Sequence, residues 1–302
     1  MSTTPPALAQ ASEDREHDER ADQDARMTAA RDEIKFVVAQ GSLARLAQAL
    51  GRQLPHHRFE GEGANRLPGP QHYVTTVYFD TESRDQYRAA LGNSEHNLKM
   101  RAKEYYDVHP SLAELATDAS QIVRYQPVLW LELKSKHGVR TGKRRIGIPK
   151  RDVAAFFAEG MVTAEMIALQ QDGYGADGER VLRELADYCR KFAEPMRADC
   201  LVNYRRLPWQ SEDGELRVTL DVDLAYYPAP GNLWQRGTAL VRETLGRAGK
   251  REPFGVLEVK ARSAIPAWLR ALLAEAGAEQ RLFSKFEAAS EAVHGALPRV
   301  PG

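Results

Sequence analysis

The sequence predicts an α+β domain built on an antiparallel sheet, and two observations carry that expectation. About eight segments alternate between aliphatic and polar side chains with the two-residue period of a half-buried strand. Between and after them lie stretches with helical periodicity, grouped rather than interleaved one for one with the strands. The clearest strand is 128–136. Leu129, Leu131 and Leu133 fall on one face there, with Trp130, Glu132, Lys134 and Lys136 on the other.

Taken in order, residues 1–30 lack hydrophobic periodicity and hold seven acids against three Arg, which predicts a disordered acidic tail. A domain is expected over 31–295. Residues 31–38 open it as a strand with Glu33 and Lys35 in phase, and Ser42 reads as the N-cap of a helix reaching Leu50. Strands follow at 73–80 and at 97–105, where Lys99, Arg101 and Lys103 share a face opposite Leu98, Met100 and Ala102. An irregular or helical insertion (107–126) precedes the 128–136 strand. His137-Gly138 then turns into 140–148, where Lys143 and Arg145 are in phase. Two or three helices are expected over 150–193, the best formed at 177–192. Strands resume at 198–207, with Tyr204 and Arg206 in phase, and continue after the Asp213-Gly214 turn at 215–226. Simple alternation puts Arg217, Thr219, Asp221 and Asp223 on one face of that strand. A helix (233–247), a strand (255–261, Glu258 and Lys260 in phase) and two terminal helices (265–275, 281–292) complete the expected fold.

Charge narrows the function classes. The 302 residues hold 42 Lys and Arg against 42 Asp and Glu, so no global field marks a nucleic-acid or membrane binder. Outside the acidic tail, 39 basic residues face 35 acidic ones. Cys189 and Cys200 lack metal-ligand spacing and are too few for a disulfide scaffold. No apolar run is long enough to cross a membrane, and the first residues are acidic rather than basic-then-apolar, so the default expectation is a cytoplasmic protein. His56-His57 and His72 lack zinc spacing. Gly138 to Arg144 is one residue short of a phosphate-binding P-loop and sits in the wrong strand context.

Each charged strand face, taken alone, reads as the solvated side of an ordinary sheet. Taken together they read differently. The in-phase positions hold Lys35, Lys99, Arg101, Lys103, Lys134, Lys136, Lys143, Arg145, Arg206, Arg217 and Lys260 against only Glu33, Glu132, Asp221, Asp223 and Glu258. The amphipathic helices need the aliphatic faces, which turns the basic faces inward, as in a closed barrel of about eight strands. So many cations in one interior repel unless an anion compensates them, and Lys and Arg donors suit phosphate oxygens. The acids suit a divalent cation shared with phosphate, Mg²⁺ or Mn²⁺, with Glu258 the foremost ligand and Glu33, Glu132, Asp221 and Asp223 as helpers. For each acid the competing reading is a salt bridge that holds a neighbouring cation. Trp130 is in phase with Glu132 at a position suited to a base or to an aromatic plug, and no nucleotide contact is assigned. Nothing resembles a Ser-His-Asp or Cys-His nucleophile set.

These residues also carry a resemblance. The motifs Arg-x-Glu-x-Lys-Phe (31–36), Tyr-Phe-Asp-Thr (78–81), Lys-x-Arg (99–101), Glu-Leu-Lys (132–134), Lys-x-Arg (143–145), Tyr-x-Arg (204–206), Leu-Arg-Val-Thr-Leu-Asp (216–221), Leu-Glu-Val-Lys (257–260) and Phe-Ser-Lys-Phe (283–286) run in this order. In this order they resemble the catalytic domain of the vacuolar transporter chaperone complex, the VTC domain of the triphosphate tunnel metalloenzyme superfamily. The resemblance implies an eight-stranded antiparallel tunnel with helices packed outside. It implies phosphate contacts from Lys35, Arg101, Lys134, Lys143, Arg206, Arg217 and Lys285, and Mn²⁺ or Mg²⁺ on Glu258. It further implies transfer of the ATP γ-phosphate onto a polyphosphate chain. A triphosphatase, or a non-catalytic polyphosphate binder, is the competing expectation. Arg31 stands where the triphosphatases of the superfamily carry Glu, which favours the polymerase branch. Leu282 stands near a position where relatives carry a second basic residue. Expected partners are ATP and polyphosphate or triphosphate, without nucleic acid or membrane insertion, and protein partners are left open.

Overall fold

The computed structural model describes residues 32–57, 72–92, 96–106, 125–137 and 140–297. Eight long strands carry the fold: β1 (Asp32–Ala39), β2 (His72–Asp80), β3 (His96–Tyr106), β4 (Val128–His137), β5 (Arg140–Pro149), β6 (Arg197–Gln210), β7 (Leu216–Pro228) and β9 (Phe254–Ala261). Two further pieces of two residues each, β8 (Lys250–Arg251) and β10 (Glu279–Gln280), bring the sheet to ten strands rather than the eight expected. All pairings are antiparallel, in the order β10-β1-β9-β7-β6-β2-β3-β4-β5, with β8 on β7. The acidic tail and the 107–124 insertion lie outside the described residues.

The sheet is curled. β1 and β3 stand five strand positions apart, which in a flat sheet separates them by about 24 Å. Yet Lys35 Nζ donates to the Phe283 carbonyl at 3.2 Å, while Lys99 Nζ donates to Ser284 Oγ at 3.4 Å and to Glu287 Oε1 at 3.2 Å. Both reach one short stretch of chain, so the two ends of the sheet bend toward each other. Among the described residues no pairing joins β5 to β1. Each edge is instead engaged over part of its length, which limits the hazard of an exposed strand edge. β10 lies along β1, and the Gln170 side-chain amide takes the Gly147 N–H and donates to the Gly147 carbonyl, standing in for a strand beside β5.

The helices are α1 (Gln40–Gln53), α2 (Asp85–Leu91), α3 (Val153–Glu159), α4 (Ala164–Ala168), α5 (Gln171–Tyr174), α6 (Gly178–Cys189), α7 (Arg242–Leu245), α8 (Ala267–Glu275) and α9 (Lys285–His294). Two apolar cores sit on the convex side. Leu129, Leu131, Leu133, Ile146 and Ile148 pack under α3 and α6, and Phe36, Val38, Val218, Leu257 and Val259 pack under α1 and α8. The third core, including Tyr78, Val202, Tyr204 and Val256, lies on the concave side and receives Phe286 and Ala289 of α9. α9 therefore fills the inside of the curl, contrary to the expectation that helices pack only outside. Arg84 pins it, donating to Ser290 Oγ at 2.9 Å and to the Gly295 carbonyl at 2.9 Å.

Three local expectations are corrected. α1 begins at Gln40, not after a Ser42 cap, because the Gln40 N–H finds a tertiary partner in the Pro253 carbonyl. The helix expected over 233–247 shrinks to Arg242–Leu245. Gly237 takes a positive φ of 60°, and Leu240 is held by tertiary bonds, its N–H to Glu104 and its carbonyl to Thr75. Asp223 is a β-bulge residue at φ 56°, and the register between β6 and β7 shifts there. Asp221 faces the concave side, and after the extra residue Leu224 and Tyr226 take over that face.

Candidate functional site

The concave face is built by register. Directly opposed residues in antiparallel strands point to the same side. Lys35 is opposed to Glu258, and Glu258 to Thr219. Glu33 is opposed to Lys260, and Lys260 to Arg217. Asp221 is opposed to Arg206, Tyr78 to Arg101, Arg101 to Glu132, and Glu132 to Arg145. The Lys260–Arg217 pairing sets two cations side by side, which is unfavourable without a compensating anion.

Side-chain contacts then tie the rows together. Arg206 makes a bidentate pair with Asp221, Nε and Nη2 each 2.7 Å from a carboxylate oxygen, and Lys285 Nζ reaches Asp221 Oδ2 at 2.7 Å. Both cations lie over the Tyr204 ring, 5.4 and 5.0 Å from its centroid. Asp221 is 1% exposed. Burial works to raise its carboxyl, but the charges of Arg206 and Lys285 outweigh this and hold it below the usual range. Lys285 is the first residue of α9, whose N-cap Ser284 accepts the Glu287 N–H. The helix therefore aims the positive end of its dipole at the cluster.

Glu258 is the carboxylate most surrounded by cations. Burial raises its carboxyl, and against this Lys260, Arg206, Lys285 and Lys35 together push it well below the ordinary value. Its Oε1 lies 3.1 Å from Lys260 Nζ, and Glu33 Oε2 lies 3.5 Å from the same ammonium. Glu33 also meets Lys35 at 3.3 Å. Arg101 donates from Nε to Glu132 Oε2 at 2.9 Å. Lys99 is lowered by burial, and Lys35 and Arg101 push in the same direction against Glu287.

The structure thus brings Lys35, Lys99, Arg101, Arg206, Lys260, Lys285, Glu33, Glu132, Asp221 and Glu258 together. It does not bring Asp223 with them: the bulge turns that side chain outward, exposed, to Arg205 at 3.5 Å. Arg145 sits at the rim, exposed, with its guanidinium 4.7 Å from the Trp130 ring centroid. The strand register sets Lys134 opposite Lys99 and Lys143, and Lys136 opposite Asn97 and Thr141. The side chains of Lys134, Lys136 and Lys143 lie outside the described part of the structure. Leu282 is fully exposed and takes no part in the concave face.

A metal has a place here only of one kind. Among the described residues no three Asp, Glu, His or Cys side chains converge as a ready-made cage. Asp221 and Glu132 are engaged by guanidinium groups, and Glu33 is shared between two lysines. Glu258, beside the inward hydroxyl of Thr219 that has no hydrogen-bond partner among the described residues, fits a hard divalent cation that takes one carboxylate and draws its other ligands from phosphate and water.

Sequence reasoning missed several participants. The Tyr204 ring underlies Arg206 and Tyr78 stands opposite Arg101, while Ser284, Glu287 and the Phe283 carbonyl hold the lysines. The Ser284-x-x-Glu287 spacing is a helix-start signal that pointed to the last pair. Asp80 of the Tyr-Phe-Asp-Thr motif is architectural: its carboxylate accepts the Thr81, Gln86 and Tyr87 N–H groups and so caps α2. Burial raises it to about 6.

Compared with known proteins, the sequence matches the VTC domain family over residues 30–294. No curated protein matches it. Among solved structures, a candidate adenylate cyclase from Bacillus halodurans is similar at 14% identity and a TM-score of 0.45, over 85% of this chain and 96% of that one. A chain of the Schizosaccharomyces pombe Mediator head module is similar at 9% identity and a TM-score of 0.32, over 81% and 88%. Both likenesses are too remote to carry an inference about activity.

Proposed function

Because the chain belongs to the VTC domain family, we propose that it is a divalent-metal-dependent polyphosphate polymerase, transferring the ATP γ-phosphate to the end of a growing chain. The observation that carries this reading is the convergence of Lys35, Lys99, Arg101, Arg206 and Lys285 around the N-terminus of α9 on one curled, concave face. Phosphoryl transfer asks a protein for positioning and charge stabilisation, with no nucleophilic side chain. Arg206 and Lys285, held rigid by Asp221, supply fixed donors for phosphate oxygens. Arg101, braced by Glu132, does the same from the opposite wall. Lys35 and Lys99 hold the incoming chain near the helix N-terminus, with Lys260 and Arg217 lining the adjoining rows. Glu258 would hold Mg²⁺ or Mn²⁺, which when bound withdraws charge from the phosphate oxygens.

Purified protein incubated with ATP and Mn²⁺, with products resolved on a gel, tests the reading. Long phosphate chains support it. Orthophosphate alone would make the protein a triphosphatase using water as acceptor, and unchanged ATP would make it a binder. No helix of the described residues is long and apolar enough to cross a membrane. We place the activity in the cytoplasm, with ATP and polyphosphate as partners.

A further inference from the structure

On the concave face at β2 and β3, two donors have no partner among the described residues. Lys103 follows Arg101 on β3, shares its face, and is directly opposed to Thr76 on β2. Directly opposed side chains have Cβ atoms about 4.5–5.5 Å apart. Thr76 is buried, and its hydroxyl has no hydrogen-bond partner among the described residues, an arrangement that costs stability unless a ligand satisfies it. Among the described residues no carboxylate lies within ion-pair distance of Lys103, whereas Glu132 braces Arg101, Asp221 braces Arg206 and Lys285, and Glu287 meets Lys99. The groups facing Lys103 are Arg101 on its own strand, Tyr204 and Arg206 on β6, and Glu132 on β4. Burial, then the Arg101 charge, brings its ammonium down to about 7, with Arg206 adding to the effect and Tyr204 and Glu132 opposing it.

On the phosphate-chain reading above, we propose that Lys103 Nζ and Thr76 Oγ1 form a further phosphate subsite, extending the grip of β3 past Arg101. Lys99, Arg101 and Lys103 then line a track about 14 Å long, at roughly 3.4 Å per residue. That geometry suits a linear condensed phosphate better than a single orthophosphate. An anion bound at Lys103 favours its charged form, so binding above neutral pH must draw a proton from solution.

Isothermal titration of the full chain with inorganic tripolyphosphate, without metal, at pH 8 in two buffers of different ionisation heat tests this. Wild type is expected to bind with uptake of a large part of one proton. Lys103→Met is expected to bind at least about tenfold more weakly and without that uptake. Thr76→Val, close in shape, is expected to weaken binding severalfold while keeping the uptake. Unchanged affinity and uptake in Lys103→Met overturns the subsite alone. Absence of binding by the wild type overturns the phosphate-chain reading and the subsite with it. A melting curve of each variant confirms that a loss of binding is not a loss of fold.

Discussion

Lys103→Met should also reveal its native environment without any ligand. A free lysine titrates near 10.5, and here the ammonium is brought to about 7. That difference corresponds to ~5 kcal/mol, and the partial exposure of the side chain reduces the working figure to ~2–3 kcal/mol. The sign follows from proton counting. Between pH 7 and 10.5 the folded chain binds fewer protons at this residue than the unfolded chain, so its contribution to stability rises with pH across that window. Below pH 7 both states are charged and the cost of the buried ammonium is present in full. Urea unfolding of wild type and Lys103→Met from pH 6.5 to 9.5 reads it directly. The variant should be the more stable at pH 6.5 by ~2–3 kcal/mol, and its advantage should shrink steadily as pH rises. An offset that adds to this pH-dependent difference without changing its slope reflects packing of the methionine. Parallel curves over the whole range would refute the reasoning, because they would mean that Lys103 is as well solvated folded as unfolded.

Glu258→Gln should lower the Mn²⁺-dependent rate at least about a hundredfold while metal-free tripolyphosphate binding survives or tightens; near-normal rate across a Mn²⁺ titration would leave Glu258 as a salt-bridge partner of Lys260 only. Arg101→Ala or Arg206→Ala should abolish turnover with the fold retained by circular dichroism, and retention of activity in either would remove that arginine from the site. Lys150→Met breaks the buried pair with Glu104 and should destabilise the fold by ~3–5 kcal/mol through the carboxylate left behind; a change below about 1 kcal/mol in urea unfolding would mean that Glu104 is otherwise satisfied.

The facing of the strands was legible because most of them alternate without interruption. Glu258 and Lys260, or Lys99 and Arg101, follow the two-residue period, and register alone then sets them beside their neighbours. Asp223 was not legible. A bulge inserts one residue without a strong sequence signal when the residue is Asp rather than Gly, and alternation then assigns every later side chain to the wrong face. The 233–247 segment failed for a different reason: bonds from Thr75 and Glu104, far away in sequence, took the Leu240 backbone groups that a helix would have used. The strand count failed only through β8 and β10, whose two residues each are too few to show a period.

The placement of α9 depends on the same bulge that sequence reasoning missed. Before it, β7 presents Arg217, Thr219 and Asp221 to the concave side, and after it β7 presents Leu224 and Tyr226. One inserted residue therefore divides the inner face of a single strand into a charged half and an apolar half. The apolar half, with Tyr78 and Val202, is what Phe286 and Ala289 bury against, the Phe286 ring 5.1 Å from that of Tyr78. Seating those two residues fixes the start of α9 at the boundary between the halves. Lys285, one residue before Phe286, then meets Asp221, two residues before the bulge. Had β7 run on without the bulge, Asp223 would have pointed its charge at α9, and an unpaired carboxylate against an aromatic core is costly. The bulge sends that charge out to Arg205 and water and leaves the helix an apolar seat. The cation cluster is thus assembled by two things at once, the period of the strands before the bulge and the loss of that period at it.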